Sequence, residues 1–135
     1  MRERTVTPIG VIHTPHSVSK DTPNQPSRAR GIPGRVEVLP EFEEGLDGVE
    51  RFPYVYLIFA FDRVDETRLT VVPHSGDGPR GVFSTRSPRR PNSIGVSLVR
   101  LVGREGRVLH VEDVDMLDGT PLLDIKPYVA DIDSR

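Results

Sequence analysis

The stretch Tyr54-Val55-Tyr56-Leu57-Ile58-Phe59-Ala60-Phe61 contains the longest apolar run of the sequence. Its aromatic and β-branched residues are those that favour strands. Because the run has no polar positions after Tyr56, it predicts a central strand that is buried on both faces. It is also far shorter than the roughly 20 apolar residues that a membrane-spanning helix needs.

Shorter strand patterns lie on both sides of this run. RVEVL, residues 35–39, alternates and predicts a half-buried strand. Further strands are predicted at residues 6–12, 69–72, 81–84, 94–102, 108–114 and 122–125, with a turn at residues 103–106. The 13 prolines leave room only for helical turns, such as residues 41–49, because an interior proline costs a helix about 3 kcal/mol. The chain is therefore predicted to be all-β, a barrel or sandwich with short helical turns and long loops.

The length of 135 residues fits a single domain spanning residues 1–135. The absence of cysteine excludes disulfides, thiolate metal sites and a cysteine nucleophile. The first residues, MRERTVTPIG, carry charge and no apolar segment, so no signal peptide is expected and the predicted location is cytoplasmic.

Charge is distributed unevenly along the chain. The net charge of −2 argues against nucleic-acid binding through bulk electrostatics. Residues 37–50 carry acids and no base, whereas residues 84–104 carry arginines and no acid. Arginine forks suit phosphate and carboxylate recognition, which makes residues 84–104 the candidate anion-binding segment.

Two familiar patterns are present without the context that would give them a function. GDGPRG, residues 76–81, matches the letters of a dinucleotide fingerprint, but Pro79 and the strand-favouring residues that follow predict a surface loop and no Rossmann domain. His13 and His16 flank Pro15 without a third ligand at useful spacing. Because a zinc site needs three or four convergent ligands, we predict ordinary loop histidines and no metal.

Three loops carry groups suited to binding. STRSPRRPNSIG, residues 84–95, holds three arginines and two prolines, and the prolines stiffen the backbone. It suits phosphate or carboxylate binding, while a solvated basic loop or an oligomer contact stays open. DVDMLDGTPLLDIKPY, residues 113–128, crowds acids around the turn Asp118-Gly119. The long segment of residues 14–34 is the third, since long loops in compact domains are often functional.

Several motifs in order closely resemble the TrmO/TsaA-like (YaeB-like) family. They are IGVI at residues 9–12, Gln25-Pro26, GVFSTRS at 81–87, RPNSIG at 90–95, DGTP at 118–121 and DIKPY at 124–128. The match runs over nearly the whole chain. The resemblance implies a small β-barrel methyltransferase without a Rossmann domain, acting as a homodimer. It implies methyl transfer from S-adenosylmethionine to N6 of threonylcarbamoyladenosine next to the anticodon of tRNA.

The resemblance also implies site residues, by motif. Cofactor contacts fall on Gln25, Pro26, Ser27, Arg28, Asp62, Arg63, Arg86, Val96, Ser97, Glu112, Asp113, Val114 and Asp115. The acids of residues 112–118 suit the sulfonium cation, and Arg86 suits the cofactor carboxylate. Asp118 is the first candidate for the catalytic base and Tyr128 the second. Arg89, Arg90 and Asn92 are the predicted RNA contacts.

Two alternatives stay open beside this activity. Long members of the family carry a C-terminal extension thought to help with tRNA, and this sequence ends shortly after the predicted barrel. A methyltransferase of the same fold acting on another RNA or on a small molecule is one alternative. A non-catalytic module that binds S-adenosylmethionine is the other.

Overall fold

The computed structural model of the chain describes residues 1–18, 29–73 and 76–134. Its strands are β1 Gly10–His13, β2 Pro33–Val38, β3 Tyr54–Ala60, β4 Thr70–Val71, β5 Arg80–Gly81, β6 Ile94–Glu105, β7 Val108–Glu112 and β8 Thr120–Pro127. Six of them close into a barrel in the order β1-β2-β7-β6-β3-β8, and β4 and β5 form a separate two-stranded ribbon. The all-β barrel prediction is confirmed.

Alternation of side chains fills the barrel. Val55, Leu57 and Phe59 of β3 are at most 3% exposed, and the residues between them lie on the outer face, half-buried. The predicted burial of both faces is therefore wrong. The barrel is a single closed sheet, so only its interior face is fully removed from water.

Strand β6 is much longer than its neighbour β7. It has 12 residues against five in β7. It pairs with β3 from Ile94 to Arg100 and with β7 only from Arg100 to Glu105. In the described residues, the edge of β6 over residues 94–99 therefore has no strand on the β7 side. We call this stretch the open β6 edge.

Two predicted element boundaries are wrong for local reasons. Of residues 81–84, only Gly81 lies in a strand, at the end of β5, since Val82–Ser84 is a 3₁₀ turn. The hydroxyl groups of Ser84 and Thr85 donate to the carbonyls of Gly81 and Val82, each at 2.7 Å, and such local bonds compete with strand pairing. The predicted turn at residues 103–106 comes late, because β6 continues to Glu105 and the hairpin turns at Gly106, whose φ is 59°.

Short helical segments close the barrel end that lies away from the start of β8. The helical turns predicted at residues 41–49 are 3₁₀ helices, Pro40–Leu46 and Val49–Arg51. Leu46 is 3% exposed and joins the core. A four-residue α-helix, Ala130–Asp133, follows β8. Among the described residues, no helix has the length and apolar character needed to cross a membrane.

We predict that Gly95→Ala destabilises the barrel by about 1–3 kcal/mol, the usual cost of overpacking a core. A Cβ at Gly95 would lie 2.5 Å from Cε2 of Phe59 and 2.8 Å from Cζ of Phe61. Urea unfolding measures the change. Gly103→Ala on the same strand is the matched control, since its Cβ meets nothing within 4 Å. Equal unfolding free energies for the two variants would contradict the prediction.

Candidate functional site

The open β6 edge carries a polar residue in the inward row of the strand. Ser97 is 2% exposed, between the buried residues Gly95 and Val99. Its hydroxyl donates to Oδ1 of Asp115 at 2.6 Å. A buried hydroxyl requires such a partner, so Ser97 and the loop after β7 are fixed to each other.

The loop of residues 113–119 is shaped by its first two residues. Asp113 has φ 77°, a left-handed conformation that asparagine and aspartate adopt more readily than other side chains do. Its backbone N–H donates to the carbonyl of Ile32 at 2.8 Å, and its Oδ1 accepts the N–H of Gly31 at 2.6 Å. Val114 is fully buried in the core. These anchors set where Asp115 emerges.

Residues of the β1–β2 connection hold the same loop from the other side. His16 is 5% exposed, and its Nε2 lies 3.0 Å from the carbonyl oxygen of Val114. The hydroxyl of Thr14 donates to the carbonyl of Met116 at 2.8 Å. The prediction that His16 is an ordinary loop histidine did not anticipate this contact. A histidine beside proline carries no signal of a partner that lies 98 residues further along the chain.

Burial raises the pKa of the Asp115 carboxyl. The hydrogen bond from Ser97 opposes the rise, and the positive fields of His16 and Arg86 oppose it less. The ionised carboxylate is therefore held where water is scarce, at a free-energy cost that a bound cation would reduce.

Arg86 reaches the open β6 edge from the arginine-rich loop. Its Nη1 donates to the carbonyl oxygen of Val96 at 3.3 Å, and the residue is exposed. Partial burial raises the pKa of Tyr56 on β3, with Asp133 and Tyr128 adding to the rise and Arg86 opposing it. The Arg86 guanidinium thus lies within electrostatic reach of both Asp115 and Tyr56. Arg86, Val96, Ser97 and Asp115 form what we call the edge cluster.

The remaining predicted cofactor contacts have other partners or lie outside the described residues. Gln25, Pro26, Ser27 and Arg28 are outside them. Arg63 pairs with Asp62 at 3.1 Å, and its Nη2 lies 3.3 Å from the hydroxyl oxygen of Thr120. Glu112 accepts from Arg100 at 2.7 Å. Asp113 and Val114 shape the loop, and of the four residues predicted in 112–115 only Asp115 reaches Ser97.

The two predicted catalytic residues do not lie together. Asp118 accepts the N–H of Thr14 at 3.0 Å and lines an open pocket of about 550 Å³ with His13, Arg35 and His110. The backbone of Tyr128 bonds to Tyr54. The two residues flank opposite ends of β8, whose eight residues span more than about 20 Å.

The arginine-rich loop is held by its own side chains. Nη1 of Arg90 donates to the carbonyls of Thr85 at 2.9 Å and Ser87 at 3.0 Å. Arg89 pairs with Glu66 at 2.8 Å. Asn92 is exposed in the turn that precedes β6. Arg90 therefore stabilises the loop, while Arg89 and Asn92 present polar groups at its surface.

The glycine-rich pattern of residues 76–81 lacks the α-helix of a dinucleotide fingerprint, as predicted. Gly76 and Gly78 have φ of 78° and 83°, and they lie in a loop that leads into the short strand β5 rather than into a helix. The described residues contain no group of three or more His, Cys, Asp or Glu side chains that would hold a metal ion.

The chain is similar to known proteins in sequence and in fold. The model of the tRNA-methyltransferase O N-terminal domain matches residues 11–134. A probable S-adenosyl-L-methionine-binding protein of Pyrococcus abyssi is 54% identical, over 95% of this chain and 70% of the relative. A mouse (Mus musculus) tRNA (adenine(37)-N6)-methyltransferase is 41% identical over 94% of this chain, which spans only 31% of that enzyme. The crystal structure of TrmO from Pseudomonas aeruginosa superposes with a TM-score of 0.83 at 40% identity, over 99% of this chain and 60% of that one.

We predict that Asp115→Asn raises the free energy of unfolding at neutral pH. Because the folded-state pKa of Asp115 is raised, the stability that its protonated form contributes is complete below the ordinary aspartate pKa, about 4. That stability is lost as pH rises through the folded-state pKa. Asparagine stays neutral and still accepts from Ser97.

Urea unfolding at several pH values measures the difference. The gain over the parent protein should shrink as the pH approaches about 4. Asp77→Asn, in an exposed loop, is the matched carboxylate-to-amide control. A variant less stable than the parent at neutral pH would contradict the prediction.

Proposed function

This chain belongs to the family of the tRNA-methyltransferase O N-terminal domain, and from that membership we propose that it transfers a methyl group from S-adenosylmethionine to tRNA. We further propose that the acceptor is N6 of threonylcarbamoyladenosine next to the anticodon. The observation that carries the proposal is the edge cluster. It sets a half-buried carboxylate and an exposed guanidinium beside a strand edge that has no partner strand among the described residues.

The edge cluster has the donor set that this cofactor needs. Burial destabilises the ionised form of Asp115 in the folded protein. A cation beside it would be favoured for that reason, and the cofactor carries a sulfonium cation. Arg86 donates one described hydrogen bond and has five N–H groups, so it has donors left for a carboxylate. Backbone groups of the open β6 edge, around Val96 and Ser97, suit the polar rim of a flat heterocycle, because strand edges present free donors and acceptors.

The chemistry requires a proton acceptor at the target nitrogen. S-adenosylmethionine supplies an electrophilic methyl group when it is bound. A nitrogen between a purine and a carbamoyl carbonyl is a poor nucleophile, and a positioned base contributes about 10²–10⁴-fold. Asp118 and Tyr128 stay predictions for this role. Because they flank opposite ends of β8, only one of them is expected to reach a given target within one chain.

We also propose that the protein acts as a homodimer, and that it does so in the cytoplasm, where its tRNA substrate is found. Support for the dimer comes from apolar side chains on the outer face of β3 and β6. Tyr54 of β3 and Ile94, Val96 and Val102 of β6 are 38–53% exposed, and a partner subunit would remove this apolar surface from water. Analytical ultracentrifugation measures the oligomeric state. A monomer at the concentration used for the activity assay would argue against the dimer.

The activity is tested with purified protein and isotopically labelled cofactor. We expect label in tRNA that carries threonylcarbamoyladenosine, and nucleoside mass analysis should place it on that base. Unmodified tRNA of the same sequence is the control and should stay unlabelled. Label in another RNA or in small molecules would indicate a different substrate, and cofactor binding without turnover would indicate a binding module.

We predict that Arg86→Ala weakens cofactor binding by about 1.5–3 kcal/mol, the contribution of a hydrogen bond to a charged group. Isothermal titration calorimetry with S-adenosylmethionine measures the loss. Arg89→Ala, in the same loop but paired with Glu66, is the control and should keep the parent affinity. If both variants bind as the parent does, Arg86 has no cofactor role.

A further inference from the structure

Phe83 is the most exposed aromatic residue in the described part of the chain, at 74%. The other exposed rings, Tyr54 and Phe42, reach only 40% and 38%. A scattered exposed side chain is ordinary on a protein surface. Phe83 differs from such a side chain in two respects, which are its fixed backbone and the positive charge of the neighbouring segments.

The backbone at Phe83 is fixed on both sides. The preceding residue, Val82, is 1% exposed, and its N–H donates to the carbonyl of Leu69 at 2.9 Å. The hydroxyl groups of Ser84 and Thr85 bond back to the turn. The turn thus holds the ring on a rigid backbone. Binding of a ligand over the ring therefore costs the protein little backbone entropy.

The segments next to the Phe83 turn expose an apolar residue and carry excess positive charge. Leu69 is 64% exposed and lies opposite Val82, beside the ribbon of β4 and β5. Arg68 and Arg89 both pair with Glu66 at 2.8 Å, which leaves this trio with a net positive charge. Across residues 67–104 the sequence has one acid, Asp77, in a chain whose net charge is −2.

We propose that Phe83 is a stacking platform for an unpaired RNA base next to the nucleotide that is modified. An exposed ring in an arginine-rich segment suits single-stranded RNA, since bases stack on aromatic side chains while cations contact phosphates. An enzyme that acts on a base must take it out of its stack. That step exposes the face of a neighbouring base, which Phe83 then covers. This inference rests on the proposed function.

The test compares ring-keeping and ring-removing substitutions at Phe83. Binding of a fluorescently labelled anticodon stem-loop RNA is measured by anisotropy without cofactor. We expect Phe83→Trp to stay within about threefold of the parent, and Phe83→Leu and Phe83→Ala to lose about tenfold or more. Phe42→Leu, at an exposed ring on the 3₁₀ helix Pro40–Leu46, is the matched control and should bind as the parent does.

Two outcomes would overturn the inference. Parent affinity in Phe83→Leu would show that the ring is not stacked on a base. Dissociation of a parent dimer in Phe83→Leu, measured by sedimentation, would show that a second copy of the chain covers Phe83 instead. Methyl transfer by the parent protein is assayed separately, and its absence would contradict the proposed function. The RNA affinities of the Phe83 variants test the stacking role alone.

Discussion

The unequal length of two neighbouring strands sets the site. β7 ends at Glu112, opposite Arg100. Among the described residues, the part of β6 from Ile94 to Val99 pairs with β3 alone. The backbone edge left open in the barrel wall must be covered or bound. The loop of residues 113–119 crosses beside it, buries Val114 and brings Asp115 to Ser97. Arg86 then bonds the carbonyl of Val96 on the same edge.

This arrangement costs stability. Ser97 occupies an inward position that an apolar residue would fill more cheaply, and Asp115 keeps a carboxylate where burial opposes its charge. Asp113 holds a left-handed backbone conformation at the entrance to the loop. Binding sites commonly combine such features, because a ligand that supplies the missing charge or hydrogen bonds recovers the cost.

Local sequence patterns predict much of this fold and little of the site geometry. Alternation in residues 35–39 and the apolar run at 54–61 mark β2 and β3 within a few residues. The strand predicted at residues 81–84 fails because Ser84 and Thr85 bond their own turn. The open β6 edge depends on where β7 stops pairing, which is a long-range register. The contact of His16 with Val114 likewise joins segments far apart in the sequence, and no local pattern encodes it.

A crystal structure of the protein with bound S-adenosylhomocysteine, the demethylated cofactor, would test the central claim most directly. The account predicts the ligand at the edge cluster, with its sulfur near Asp115, its carboxylate on Arg86 and its heterocycle along Val96 and Ser97. A ligand seated instead in the acid-lined groove beside Phe42, Asp47 and Asp124 would contradict it.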